Sequence, residues 1–246
     1  MARKSLPLAV LATFGLVLLA QPAQAQGPPV DFEEETHFHC YTISNQTPEP
    51  ARTVDLEDQF LEATLSVDEP ELFCPPTSKD GLEIEEPEEH LTTYNAPWPL
   101  EPDLSVSTED QFGPRTLTVI GARELFVPTE KNELGFPDRL NHYWCYEASG
   151  PKVGARVTLE DQFATQSVRV ERPHRFCNPV EKTFMGDTSR IFEPEVHLTC
   201  YETFTPQKTR AQTFAADNQF ETDMFTVTSQ QLLCVPSAKL GFTPIG

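Results

Sequence analysis

The chain has 246 residues, with 38 acidic against 18 basic side chains and a formal charge of −20. That balance sets aside nucleic acid and anionic membrane surfaces as partners, because both attract basic patches. Six cysteines and 23 prolines against 11 glycines point instead to a disulfide-bonded chain of short, proline-punctuated strands.

In chain order, the first element is a secretory signal over residues 1–25. Arg3 and Lys4 precede an apolar stretch from Leu6 to Ala20, and Ala23-Gln24-Ala25 provides a small-residue exit before Gln26. Cleavage is expected between Ala25 and Gln26. The apolar stretch is shorter than the roughly 20 residues of a spanning helix, so the mature chain is expected to be secreted or periplasmic.

Four copies of one module follow, at residues 37–79, 90–131, 142–182 and 197–239. They open on HFHCY at His37, HLTTY at His90, HYWCY at His142 and HLTCY at His197. Mid-copy come Asp58, Asp110, Asp161 and Asn218, each followed by Gln-Phe, and each copy closes on a proline three residues before a lysine. Repeats of this period are read before any other feature. Alternation at period two, as in Val157, Leu159 and Val168, Val170, predicts an all-β fold. Each copy is expected to hold four short strands: one around Cys-Tyr, one ending at Gln-Phe, one after it, and one carrying the second cysteine. A module this small buries too little surface to stand alone, so copies are expected to pair, although the connectors do not say which with which.

The repeat also orders the cysteines. Cys40, Cys145 and Cys200 share one module position and Cys74, Cys177 and Cys234 another, while copy two has Thr93 and, by this reading, Val127 there. Joint loss is what a bonded pair predicts, since a widowed thiol in an oxidising compartment is a liability. The expected bridges are Cys40–Cys74, Cys145–Cys177 and Cys200–Cys234. No two cysteines lie close enough in sequence for the pairs that structural zinc sites use, so neither a metal nor a cofactor is expected.

No side-chain constellation announces a reaction. There is no GxSxG elbow and no glycine-rich phosphate loop. His37 and His39 share a strand face, with His39 expected to be exposed. The Asp58, Asp110 and Asp161 set is read as turn-capping because Asn218 keeps the hydrogen bonds and gives up the proton chemistry. The reading is an exported, non-enzymatic β-repeat protein for binding or structural support. The alternatives are a secreted hydrolase using His39, His174 and the acidic connectors between the halves, or a calcium-binding acidic module.

HLTCY, CNPVEK from Cys177, the Asn-Gln-Phe of copy four and CVPSAK from Cys234 resemble a family of exported bacterial domains of unknown function, whose unit is two such copies in tandem. The resemblance covers nearly the whole mature chain and is closest from Asn141 onward. It implies two small disulfide-stapled β domains, 26–136 and 137–246, meeting near Phe136, and it implies no activity. Residues 26–136 carry 25 acidic and 5 basic side chains, and residues 137–246 carry 13 and 11. A basic or cationic partner is therefore expected for the first half alone.

Overall fold

The computed structural model describes residues 31–245 apart from 33 and 45–50. The signal segment 1–25, with Ala25 and Gln26, lies outside the described residues. Copy one contains β1 (Phe38–Ser44), β2 (Arg52–Glu57), β3 (Glu62–Val67), β4 (Pro70–Cys74) and β5 (Ser78–Lys79). Copy two contains β6 (His90–Trp98), β7 (Leu104–Asp110) and β8 (Gly113–Lys131). Copy three contains β9 (Tyr143–Ser149), β10 (Arg156–Glu160) and β11 (Thr165–Pro179), followed by β12 (Glu181–Phe184) and β13 (Asp187–Ser189). Copy four contains β14 (His197–Phe204), β15 (Gln212–Asp217) and β16 (Thr222–Pro244). The chain is all-β, and among the described residues no helix is long and apolar enough to cross a membrane.

In copies two to four the third and fourth strands run on as one. At Pro173 strand β11 continues through an irregularity, where its register against β14 shifts between Val170 and Arg175. Proline lacks the N–H that a ladder needs, and a bulge is where a strand tolerates that loss.

The last strand of every copy pairs antiparallel with its own first strand and with the first strand of the next copy. In order, β1 pairs β4, β4 pairs β6, β6 pairs β8 and β8 pairs β9. Then β9 pairs β11, β11 pairs β14, β14 pairs β16 and β16 returns to β1. The four copies therefore close into an eight-stranded barrel, which leaves its strands no free edge. The expected boundary near Phe136 falls inside this ring. Copies one and two are joined, as are copies three and four, but the β8–β9 and β16–β1 seams join the halves in the same way. A two-copy unit supplies only half of the ring.

Alternation along each barrel strand sends one set of side chains inward. Phe38, Leu91, Tyr143, Leu198, Leu72, Leu232 and all six cysteines form one buried cluster. Three disulfides, Cys40–Cys74, Cys145–Cys177 and Cys200–Cys234, cross between the paired strands of single copies. In copy two Thr93 lies opposite Phe126, and Val127 lies opposite Thr92. Phe126, not Val127, therefore holds the second cysteine's position. It stands two residues before Pro128, as Cys177 stands two before Pro179, and its ring fills the interior beside the disulfides.

The outward set is covered by four hairpins, each lying over the following copy. Val54, Leu56, Leu65 and Val67 of the β2–β3 hairpin cluster with Tyr94, Leu125 and Val127 of copy two. Phe214, Phe225 and Val227 of copy four cover Tyr41 and Phe73 of copy one, and Val157, Leu159, Val168 and Val170 cover Tyr201 and Leu233. The tail of each copy then pairs with the hairpin two copies on: β5 with β10, β12 with β2, the end of β8 with β15, and the end of β16 with β7.

Candidate functional site

The repeat signature meets itself across copies. At each hairpin tip the mid-copy residue uses Oδ1 to cap its own turn. Asp58 accepts from the Phe60 amide at 2.7 Å, Asp110 from Phe112 at 2.7 Å, Asp161 from Phe163 at 2.7 Å and Asn218 from Phe220 at 2.8 Å. The other carboxylate oxygen of each Asp accepts from the signature tyrosine two copies away. Tyr146 donates to Asp58 at 2.8 Å, Tyr41 to Asp161 at 2.7 Å, and Tyr201 to Asp110. Burial, strengthened by the facing carboxylate, holds these hydroxyls well above their ordinary pKa. Burial also raises Asp58 and Asp110, against the hydrogen bonds that lower them.

The glutamine after that residue reaches a third copy. Nδ1–H of His37 and His90 donates to the carbonyls of Glu35 and Glu88 at 3.1 and 2.8 Å. Their Nε2 atoms accept from Gln111 and Gln162 at 2.5 and 2.8 Å. Burial pushes both imidazoles down to about 4, which matches this neutral tautomer. In copies three and four the closing lysine takes the glutamine instead: Lys182 donates to Gln219 Oε1 and Lys239 to Gln59 Oε1. Nε2 of His142 and of His197 is left buried without a hydrogen-bond partner. Each lysine lies over aromatic rings, Lys182 over Phe220 at 5.2 Å and Lys239 over Phe60 at 4.8 Å, and burial lowers both to about 8.

Four further places depart from the fourfold pattern. Asn218 donates through Nδ2 to the Tyr94 hydroxyl at 2.7 Å, and that hydroxyl donates to Glu221 at 2.6 Å. Inside the barrel, where copies one and four have Leu72 and Leu232, Arg175 grips Glu124 with two hydrogen bonds, at 2.7 and 3.1 Å. His39 is fully buried rather than exposed. Its Nδ1 lies 2.8 Å from Asp161 and its Nε2 3.2 Å from Gln230, because the tip of hairpin three closes over β1.

The fourth departure is the most chemically loaded. Asn178 occupies the position held by Pro75, Val127 and Val235 in the other copies and is fully buried. Its Nδ2 donates to Asp58 Oδ2 at 3.1 Å, while its Oδ1 accepts from the Lys239 amine at 3.4 Å. Copies one, three and four thus bring an amine, a carboxamide and a carboxyl together. Comparison of the copies carries the signal for this site, since Asn178 is the one polar side chain in that column.

The remaining candidates are dispersed. His174 faces Glu202 at 3.7 Å at the surface and shares no partner with His39. Glu35, Glu89 and Glu193 line a small cleft at one end of the barrel with Phe38 and Tyr143. Among the described residues no group of three His, Cys, Asp or Glu is arranged to hold a metal ion.

A family model described as Repeat of unknown function (DUF7450) matches residues 90–236. No curated protein and no solved structure matches the chain.

Proposed function

The chain belongs to the family of the Repeat of unknown function (DUF7450), and on that premise we propose that it is an exported, non-enzymatic β-repeat protein acting as a rigid binding or structural module. One observation carries this reading: the signature tyrosines, mid-copy acids, glutamines and lysines meet one another across copies, so the repeat encodes assembly of the ring rather than a reactive cleft. Three buried disulfides suit the oxidising compartment of a secreted or periplasmic protein. The acidic first half offers a surface for a basic or cationic partner, with affinity that falls as salt screens it.

The hydrolase reading is supported by less. His39 and Asp161 form a His–Asp pair, but both side chains are sealed from solvent, and no serine or thiol nucleophile lies among the hydrogen-bond partners of His39. The test is turnover of ester, phosphoester, glycoside and peptide substrates by the mature protein, alongside a His39→Gln variant. No turnover is expected. Turnover lost in His39→Gln while the fold persists would overturn the reading.

A further inference from the structure

We propose that Lys239 and Asn178 are joined by an intramolecular amide bond, formed by the protein itself with Asp58 as the proton carrier. The Lys239 nitrogen attacks the side-chain carbonyl carbon of Asn178, a new C–N bond forms, and the bond from that carbon to Nδ2 breaks. Asp58 takes a proton from the attacking amine and delivers one to Nδ2, which leaves as ammonia. Atoms and charges balance with no oxidant, metal or cofactor.

Each requirement of this transfer has its residue. The amine must be partly neutral, and burial lowers Lys239 to about 8 while the charge of Asp58 opposes the shift. The carboxamide must be held beside it, and Asn178 Oδ1 lies 3.4 Å away. A proton carrier must touch the leaving nitrogen, and Asp58 Oδ2 is 3.1 Å from Nδ2. Burial raises Asp58, against the hydrogen bonds from Phe60, Leu61, Asn178 and Tyr146 that lower it, which favours its taking up and passing on a proton. Tyr146, donating at 2.8 Å, and the turn amides of Phe60 and Leu61 hold that carboxyl in place. The rings of Phe60 and Phe242, 4.8 and 5.3 Å from the amine, lower the local polarity. Fixing the reactants this way supplies the large effective molarity that unassisted amide exchange lacks.

The other three junctions lack the set. Lys182 faces Gln219 with Val127 and Asn218 at the matching positions, Lys131 has Pro75 and Asp161, and Lys79 has Val235 and Asp110. Gln59 also accepts from Lys239, but its Nε2 donates to the Pro194 carbonyl at 3.5 Å and not to a carboxyl, as Asn178 Nδ2 does to Asp58. The bond would tie the end of copy four to copy three beneath the hairpin tip of copy one.

The test is the intact mass of the denatured, oxidised protein, followed by peptide mapping. The expected mass is lower than that of the three-disulfide chain by one ammonia, with the Lys239 peptide attached through Asn178. Lys239→Arg, Asn178→Ala and Asp58→Ala should each restore the full mass, while Lys182→Arg should keep the deficit. A wild-type mass without the deficit, a link to Gln59, or a deficit that survives Lys239→Arg would overturn the proposal. Because mass is read on denatured chains, loss of folding in one variant is checked against Asp58→Asn, whose turn caps persist while proton transfer does not.

Discussion

Thr93 lies directly opposite Phe126 on β6 and β8, at the two positions where the other copies are stapled by a disulfide. The cysteine pair has been exchanged for a hydroxyl and a ring. The Thr93 hydroxyl accepts from the Leu72 amide at 3.0 Å, and Phe126 packs among the remaining disulfides.

A fourth staple should therefore form in Thr93→Cys/Phe126→Cys and not in Thr93→Cys/Val127→Cys, where the second thiol would stand opposite Thr92. Thiol counting on the denatured protein distinguishes them. Net stability should change little: closing a loop of this size contributes about 3–4 kcal/mol, and losing a buried phenylalanine ring costs about 3–5 kcal/mol.

Asn218 and Glu221 compensate for each other through Tyr94. Asn218→Asp would set a second carboxylate against Glu221 in a buried site and should cost about 3 kcal/mol, read by denaturant unfolding. Adding Glu221→Ala should recover most of that, because the new carboxylate then accepts from Tyr94 as Asp161 accepts from Tyr41. Failure of the double variant to recover would show that Glu221 has another role.

The acidic cleft should make stability fall with rising pH. Burial, and then repulsion from Glu193 and other neighbouring carboxylates, raises Glu35 to about 7. Burial also raises Glu89 to about 7, with Glu86 and Glu193 adding to the shift against a hydrogen bond from Thr36. A carboxyl raised on folding contributes stability that is full below its ordinary value of 4.5 and is lost as pH climbs through about 7. Glu35→Gln/Glu89→Gln should therefore melt several degrees above the wild type at pH 8 and near it at pH 5. The lowered imidazoles of His37 and His90 act oppositely, losing stability as pH falls from 6.5 through about 4, and they cancel in the difference between the two proteins.

Neither half should persist as a stable monomer. Residues 137–246 alone would leave β9 without β8 and β16 without β1, exposing two barrel edges. Two such fragments together supply four copies, so the expected species in sedimentation is a dimer that rebuilds the ring. A monomer melting cooperatively at the intact protein's temperature would show that a half closes by itself.

Much of the molecule was legible in advance. Period-two alternation and the signature residues establish strands, copies and disulfide bonding because these depend on local pattern and spacing. The capping role of the mid-copy acid was also readable, since Asn218 must perform it without a charge. The second cysteine's position in copy two falls on Phe126 and not on Val127, because Phe126 stands two residues before Pro128 as each second cysteine stands two before its proline.

What the chain could not declare alone was which strands meet. A period of two tells each strand which face is apolar and says nothing of its partner, so two double copies and one fourfold ring were equally compatible with it. Ring closure decided that His39 is buried under a tip from copy three, and that the acid of each copy meets a tyrosine two copies away. It also placed Lys239, Asn178 and Asp58, from three different copies, within reach of one another. Those contacts join residues 61 to 122 positions apart. Only the closed barrel, which satisfies every barrel strand on both sides and buries both of its faces, brings such distant positions together.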